Sequence, residues 1–150
     1  LWRMLLPSRG SGQLVLRVKE RRGEEALAEP VFAPEAKTWA EGRTLAVSVT
    51  EPDNERYHYH LLLEGELEVL AATENEIASV YIIGTLILSD METGNELYSY
   101  TVGLHREGAR GNTEVAVVLL ALREAAAEAM AEFAARIIAA LPAPGDEFGR

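Results

Sequence analysis

The sequence predicts an α+β domain: a mixed or antiparallel sheet of about five strands with a long C-terminal helix packed on one face. Three stretches carry that prediction. From Glu76 to Glu107 a period-two pattern stops at a turn and then resumes, which is the signature of a hairpin. From Tyr57 to Ala71 runs the longest alternation in the chain. From Thr113 to Leu141 there is no glycine or proline, and apolar residues recur at spacings of three and four, as they do along one face of a helix. One domain over 1–150 is expected, with an N-terminal arm over 1–12, the α+β core over 13–141 and a tail over 142–150.

The opening Leu1-Trp2-Arg3-Met4-Leu5-Leu6 is apolar and is broken by Pro7, Ser8, Gly10 and Gly12. Such a head docks on its own domain or grips another molecule. Leu1, Trp2, Met4, Leu5 and Leu6 are therefore candidate partner-binding residues. The run is far too short for a membrane span, which needs about 20 apolar residues. It reads either as what remains after a leader is removed or as a boundary within a longer chain.

Gln13 to Lys19 alternates, with Leu14, Leu16 and Val18 opposed to Val15, Arg17 and Lys19, and so reads as a half-buried strand. Glu20 to Glu25 mixes charges around Gly23 and reads as a solvated turn. Pro30 and Pro34 flank Val31 and Phe32, which favours extended loop, with a single helical turn over Glu35–Ala40 that carries Trp39. Thr44 to Thr50 is a further expected strand, with Leu45, Val47 and Val49 facing inward, ended by the turn cluster Glu51-Pro52-Asp53-Asn54.

In the long alternation Tyr57, Tyr59, Leu61, Leu63, Gly65, Leu67 and Val69 share the expected core face, and His58, His60, Glu64, Glu66 and Glu68 the wet one. Gly65 and Gly84 occupy comparable strand positions, where a glycine marks a bend, a bulge or a close approach; the simplest occupant is the long helix. In the hairpin Val80, Ile82, Gly84, Leu86 and Leu88 lie on one face. Asp90 opens the turn by bonding its own backbone, Gly94 supplies positive φ, and Glu96 to Glu107 returns. Thr113 is the expected N-cap of the helix. Its stripe is Leu119, Leu122, Ala126, Met130, Phe133, Ile137 and Leu141, and its alanines allow close packing on a sheet.

Composition narrows the function. With 48% hydrophobic and 25% charged residues the chain belongs with folded globular domains. A formal charge of −10 opposes nucleic acid, because phosphate binding requires Lys and Arg to displace counterions. With no cysteine, neither a disulfide nor a thiolate metal site exists in these residues.

His58 and His60, two apart on an expected strand, are the best metal candidates, with Glu64 on the same face. Coordination needs three or four converging ligands, so the structural reading of these histidines is preferred and no metal or other cofactor is assigned. Glu64, Glu66 and Glu68 read as a solvated face in preference to an acid/base pair. There is no nucleophile elbow, no P-loop and no complete dinucleotide-binding glycine motif. No catalytic residue is assigned.

From Tyr57 onward the order of features resembles three groups of bacterial envelope proteins: the curli-secretion lipoproteins, the ABC-type transport auxiliary lipoproteins and the lipopolysaccharide-assembly lipoproteins. The residues concerned are Tyr59-His60-Leu61-Leu62-Leu63-Glu64-Gly65, then Leu86 to Leu97 with Asp90, Thr93, Gly94 and Glu96, then the alanine-rich stretch Leu122 to Pro142. The likeness covers a little over half of the chain and leaves the N-terminal half unmatched. It implies a non-enzymatic component of the periplasm or outer-membrane periphery. Such a component assembles or scaffolds through protein contacts or homo-oligomerises, held at the membrane by a lipid anchor absent from these residues. The surfaces offered would be a sheet edge, the N-terminal arm and the alanine-rich helix. Two other readings are a virion or phage-tail structural subunit, and a small metal- or ligand-binding protein or enzyme using His58 and His60.

Overall fold

The computed structural model describes residues 12–42 and 47–141; the arm with Leu1, Trp2, Met4, Leu5 and Leu6 and the tail after Leu141 lie outside them. The elements are β1 (Gly12–Arg22), β2 (Glu25–Ala26), α1 (Phe32–Glu41), β3 (Ser48–Val49), β4 (Tyr59–Glu74), β5 (Ile77–Asp90), β6 (Glu96–Glu107) and α2 (Glu114–Ala140). They form an α+β domain with one six-stranded mixed sheet in the order β2-β1-β4-β5-β6, β3 lying alongside β1. β1 pairs parallel with β4, with Leu14 beside Leu61 and Leu16 beside Leu63. A parallel pair needs a crossover, and α1 supplies it on the face that α2 also covers. β4, β5 and β6 follow as an antiparallel meander.

Alternation decides which face is buried. Leu14, Leu61, Leu63, Leu67, Val69, Val80, Ile82, Leu86, Leu88, Val102 and Leu104 point at the helices and form the core with Phe32, Leu122, Met130, Phe133 and Ile137. The hairpin turn forms as its chemistry requires: Asp90 Oδ1 accepts from the Glu92 N–H at 2.8 Å and the Thr93 N–H at 3.3 Å, and Gly94 has φ 78°. Thr113 caps α2 by accepting from the Ala116 N–H at 3.2 Å. Along α2 the expected stripe is buried except at Leu119, which is half-exposed. Val117, Ala121, Ala125 and Ala129 complete the buried face, and these small residues let the helix axis approach the sheet.

Four local expectations are corrected. The segment around Pro30 and Pro34 is not all loop: α1 begins at Phe32 and takes Pro34 into its first turn. That is permitted because a proline there lacks an N–H that would have no intrahelical partner. Glu20 is not part of a solvated turn, since β1 runs on to Arg22 and the Glu20 side chain is buried at 5% exposure. Of the strand expected over Thr44–Thr50, the described residues 47–50 form strand at Ser48–Val49 alone, with Val47 and Val49 buried, and Leu45 lies outside the described residues.

The fourth concerns Gly65 and Gly84, which make room for the neighbouring strand and not for the helix. A Cβ at Gly65 would strike the Thr85 carbonyl oxygen, and one at Gly84 the Glu66 carbonyl oxygen. In the register Glu66 pairs Thr85, with the two glycines diagonally on either side. β4 and β5 therefore coil tightly about each other at this point, which a side chain on either strand would prevent.

Candidate interaction surfaces

The two histidines singled out by spacing stand in different environments. His58 precedes β4 and is exposed, while His60 lies on β4 at 4% exposure. Burial departs from the expected alternation at the start of this strand: Tyr59, on the core face, is 41% exposed, and His60, on the outer face, is covered. The cause is a cover over the outer face. Residues 50–57 fold across this end of the sheet, with the Tyr57 N–H bonded to the Asp53 carbonyl at 3.0 Å. His60 Nδ1 meets Glu92 Oε2 at 2.9 Å, and the Met91 N–H donates to the His60 carbonyl at 2.9 Å. Beside it Gln13, fully buried, donates to the Glu51 carbonyl at 2.6 Å and accepts from the Asp53 N–H at 3.3 Å. This polar cluster ties the 50–57 segment and the β5–β6 turn to the sheet. Among the described residues no three His, Cys, Asp or Glu side chains are grouped to hold a metal ion.

Glu64, Glu66 and Glu68 line an open face and are matched by cations on β1. Arg21 Nε lies 3.1 Å from Glu66 and its Nη1 3.4 Å from Glu68, and Arg17 is beside Glu64 in the register. His105 stands elsewhere on the outer face. It stacks on Tyr81 with ring centroids 4.2 Å apart and planes at 13°, and its Nε2 is 3.0 Å from Ser79 Oγ. Tyr81 pairs with Leu70, ten residues along β4 from His60, on the order of 33 Å.

Two hollows lie near the Arg22 end of β1. One of about 730 Å³ is lined by Arg22, Leu27, Leu70, Ala72 and Tyr81. The other, about 480 Å³, lies between Leu27, Val31, Val115, Val118 and Leu119. Val115 and Leu120, at the start of α2, are 76% and 62% exposed.

The alanine-rich helix is a poorer contact surface than its sequence implies, because Ala121, Ala125, Ala126 and Ala129 are consumed by the chain's own core. The sheet edge is available. β6 is the last strand in the order, and no other described strand pairs with its far side. The ladder fixes which groups face outward. The Gly108 N–H donates to the Ala78 carbonyl at 2.9 Å, so even-numbered residues of β6 bond to β5, since bonded and non-bonded pairs alternate. Ser99, Thr101, Gly103 and His105 consequently turn their N–H and C=O groups to the open side. Sequence reasoning named a sheet edge in general; which strand would be outermost depended on the β1–β4 pairing, a contact between distant segments that alternation does not specify.

No protein-family model matches the chain, and no curated protein matches its sequence. Solved structures do match its fold. The crystal structure of a minor lipoprotein from Acinetobacter baumannii is similar over 87% of this chain and 94% of that one, with a TM-score of 0.59 and 17% identity. A PelC dodecamer from Paraburkholderia phytofirmans is similar over 78% of this chain and 86% of its own, with a TM-score of 0.52 and 17% identity. The fold is thus one that occurs among bacterial lipoproteins.

Proposed function

We propose that this chain is a non-enzymatic component of the bacterial cell envelope, periplasmic or at the outer-membrane periphery, that works by protein–protein contacts and self-association. The observation that carries the reading is the fold shared, nearly end to end, with a minor lipoprotein. The dodecameric state of the second similar structure supports assembly as its mode of action. The narrower resemblance to curli-secretion, transport-auxiliary and lipopolysaccharide-assembly lipoproteins points the same way, and so does the long β6 edge, with whose far side no other described strand pairs. The acidic charge of −10 fits a protein partner better than a polyanion. Attachment would come from a lipid anchor outside these residues.

Fractionation of the cells that make the protein tests this. Full-length tagged protein is expected with the envelope fraction, in a complex larger than one chain that survives mild cross-linking. Recovery as a free single chain in the cytosol would overturn the proposal.

A further inference from the structure

We propose that β6 is a self-pairing edge: two copies of this chain join β6 to β6, antiparallel, about a two-fold axis at Thr101, making one continuous sheet. This goes beyond the envelope assignment, since it names the surface and the register and does not depend on the cellular address.

Four observations lead to it. First, the edge is long, and among the described residues no strand pairs with it. Natural edges carry Lys, Pro, a mid-strand bulge or a cover. β6 spans twelve residues without proline, and its one irregularity is at the turn end, opposite Leu88 and Ser89. Second, the edge strand itself is uncharged in a strongly acidic molecule. From Leu97 to His105 there is no Asp, Glu, Lys or Arg, in a chain of net charge −10, and the carboxylates of α2 that stand beside it are met within the chain, Glu124 and Glu128 by Arg106 and Glu132 by Tyr98.

Third, the outward-facing backbone groups belong to Ser99, Thr101, Gly103 and His105, as the Gly108 to Ala78 bond requires. An axis at Thr101 makes Thr101 a bonded pair with itself and pairs Ser99 with Gly103 of the second copy, so every outward group between them is used.

Fourth, the side chains are self-complementary in that register. On the helix face Tyr100 meets Val102 of the second copy, and Tyr98 meets Leu104, aromatic–aliphatic pairs of the kind that stabilise adjacent strands. On the outer face Thr101 meets Thr101, a hydroxyl pair. Charge agrees with this arrangement. Tyr98 donates to Glu132 of α2 at 3.2 Å, and the residue diagonal to Tyr98 across the axis is Arg106 of the second copy. Arg106, bound to Glu124 of its own α2, thus brings a guanidinium to the Glu132 side at both ends of the seam.

The absence of cysteine from the sequence makes the test clean. Thr101→Cys places two thiols across the axis with Cα atoms about 5.5 Å apart. Ser99→Cys, on the same face of the same strand, places them four residues out of register, roughly 13 Å apart, beyond disulfide reach. Under mild oxidation Thr101→Cys is expected to form a covalent dimer at least about tenfold faster than Ser99→Cys, because the pairing raises the effective thiol concentration. In parallel, light scattering after size exclusion is expected to give a dimer or a multiple of it for the unaltered chain. For Thr101→Pro, with an unchanged circular-dichroism spectrum, it is expected to give half that mass. Proline at Thr101 removes an N–H that makes no bond to β5, so the strand itself survives.

Equal cross-linking of the two cysteine variants, or a Thr101→Pro protein of unchanged mass, overturns the β6 pairing. If the unaltered chain still associates in that case, self-association proceeds through another face and the envelope reading stands. A chain that is monomeric throughout the micromolar range overturns the pairing as well, and leaves the envelope reading to the fractionation experiment.

Discussion

The Glu20 carboxylate on β1 accepts the Phe32 N–H of α1 at 2.7 Å, and that bond joins the sheet to the crossover helix. The same side chain accepts from the Val31 N–H at 2.8 Å and the Ala33 N–H at 3.0 Å. A helix begins with four N–H groups that have no intrahelical partner. Here three are held by one carboxylate and the fourth position is Pro34, which has none. The Glu35 N–H then makes the first helical bond, to the Val31 carbonyl at 3.2 Å. The N-cap residue Val31 has no side-chain oxygen to offer, so the cap comes from a different element. The negative charge also lies at the positive end of the helix dipole.

Glu20→Ala is therefore expected to destabilise the chain by about 2–4 kcal/mol, since it leaves buried donors without an acceptor and removes charge-assisted bonds. Glu20→Gln keeps one acceptor oxygen and should cost less than half of that. Denaturant unfolding measures both. Amide exchange should show α1 opening first in the Ala variant; uniform loss of protection across the sheet would mean that Glu20 does not act through the helix.

His58 and His60 should behave oppositely on replacement. His58→Ala, at an exposed position outside the strand, is expected to change stability by no more than about 0.5 kcal/mol. His60→Ala removes a buried ring that contacts Glu92 and should cost about 1–3 kcal/mol. A thermal shift of both variants, run with and without added zinc, checks this. Zinc stabilisation lost in both variants would restore the metal reading.

Legibility in the sequence followed the range of the interactions concerned. The β5–β6 hairpin and the cap at Thr113 depend on residues within a few positions of each other, and Asp90, Gly94 and Thr113 declared them. α1 was shortened by the prolines because its true start is fixed by Glu20, eleven residues upstream of Val31. His60 was assigned to the wet face because alternation reports which side of a strand a residue occupies and not whether a distant loop covers that side. Gln13 and Asp53, which hold that loop down, are 40 residues apart. For the glycines at positions 65 and 84 the sequence offers a bend, a bulge or a close approach, most simply of the long helix. What approaches is the carbonyl of the partner strand, which only the register reveals.

Acid should loosen the start of α2. Glu114 is held below its ordinary pKa of 4.5, first by the hydrogen bond from the Thr73 hydroxyl and then by the Arg22 guanidinium. The contacts are 2.7 Å and 2.5 Å, and they tie the β4–β5 hairpin and the end of β1 to the helix. A carboxylate with a lowered folded pKa contributes stability that is fully present above its unfolded value and fades as pH falls through the folded one. The melting-temperature difference between the unaltered chain and Glu114→Gln should accordingly be largest near neutrality, shrink below pH 4.5 and close in stronger acid. A difference that persists unchanged in acid would show that the carboxylate charge is not what matters there.

Phe133 is the residue whose removal should cost most, because it is fully buried on α2 where the helix meets β6. Its ring stands edge-on to Tyr98 at 5.6 Å and to Tyr100 at 6.2 Å, so truncation forfeits both aromatic contacts as well as its own burial. Phe133→Ala should destabilise by about 3–5 kcal/mol through the cavity it leaves. Phe133→Leu, which fills most of the space, should cost clearly less. The two tyrosines flank Ser99, just before Thr101, on the strand with whose far edge no other described strand pairs, so a cavity beneath them would loosen that edge along with the core. Paired measurements of unfolding midpoint and association state separate the effects. Loss of stability with association intact at low denaturant would place the tyrosines' support in the backbone ladder to β5, and a negligible change in midpoint would mean that Phe133 is not in the core.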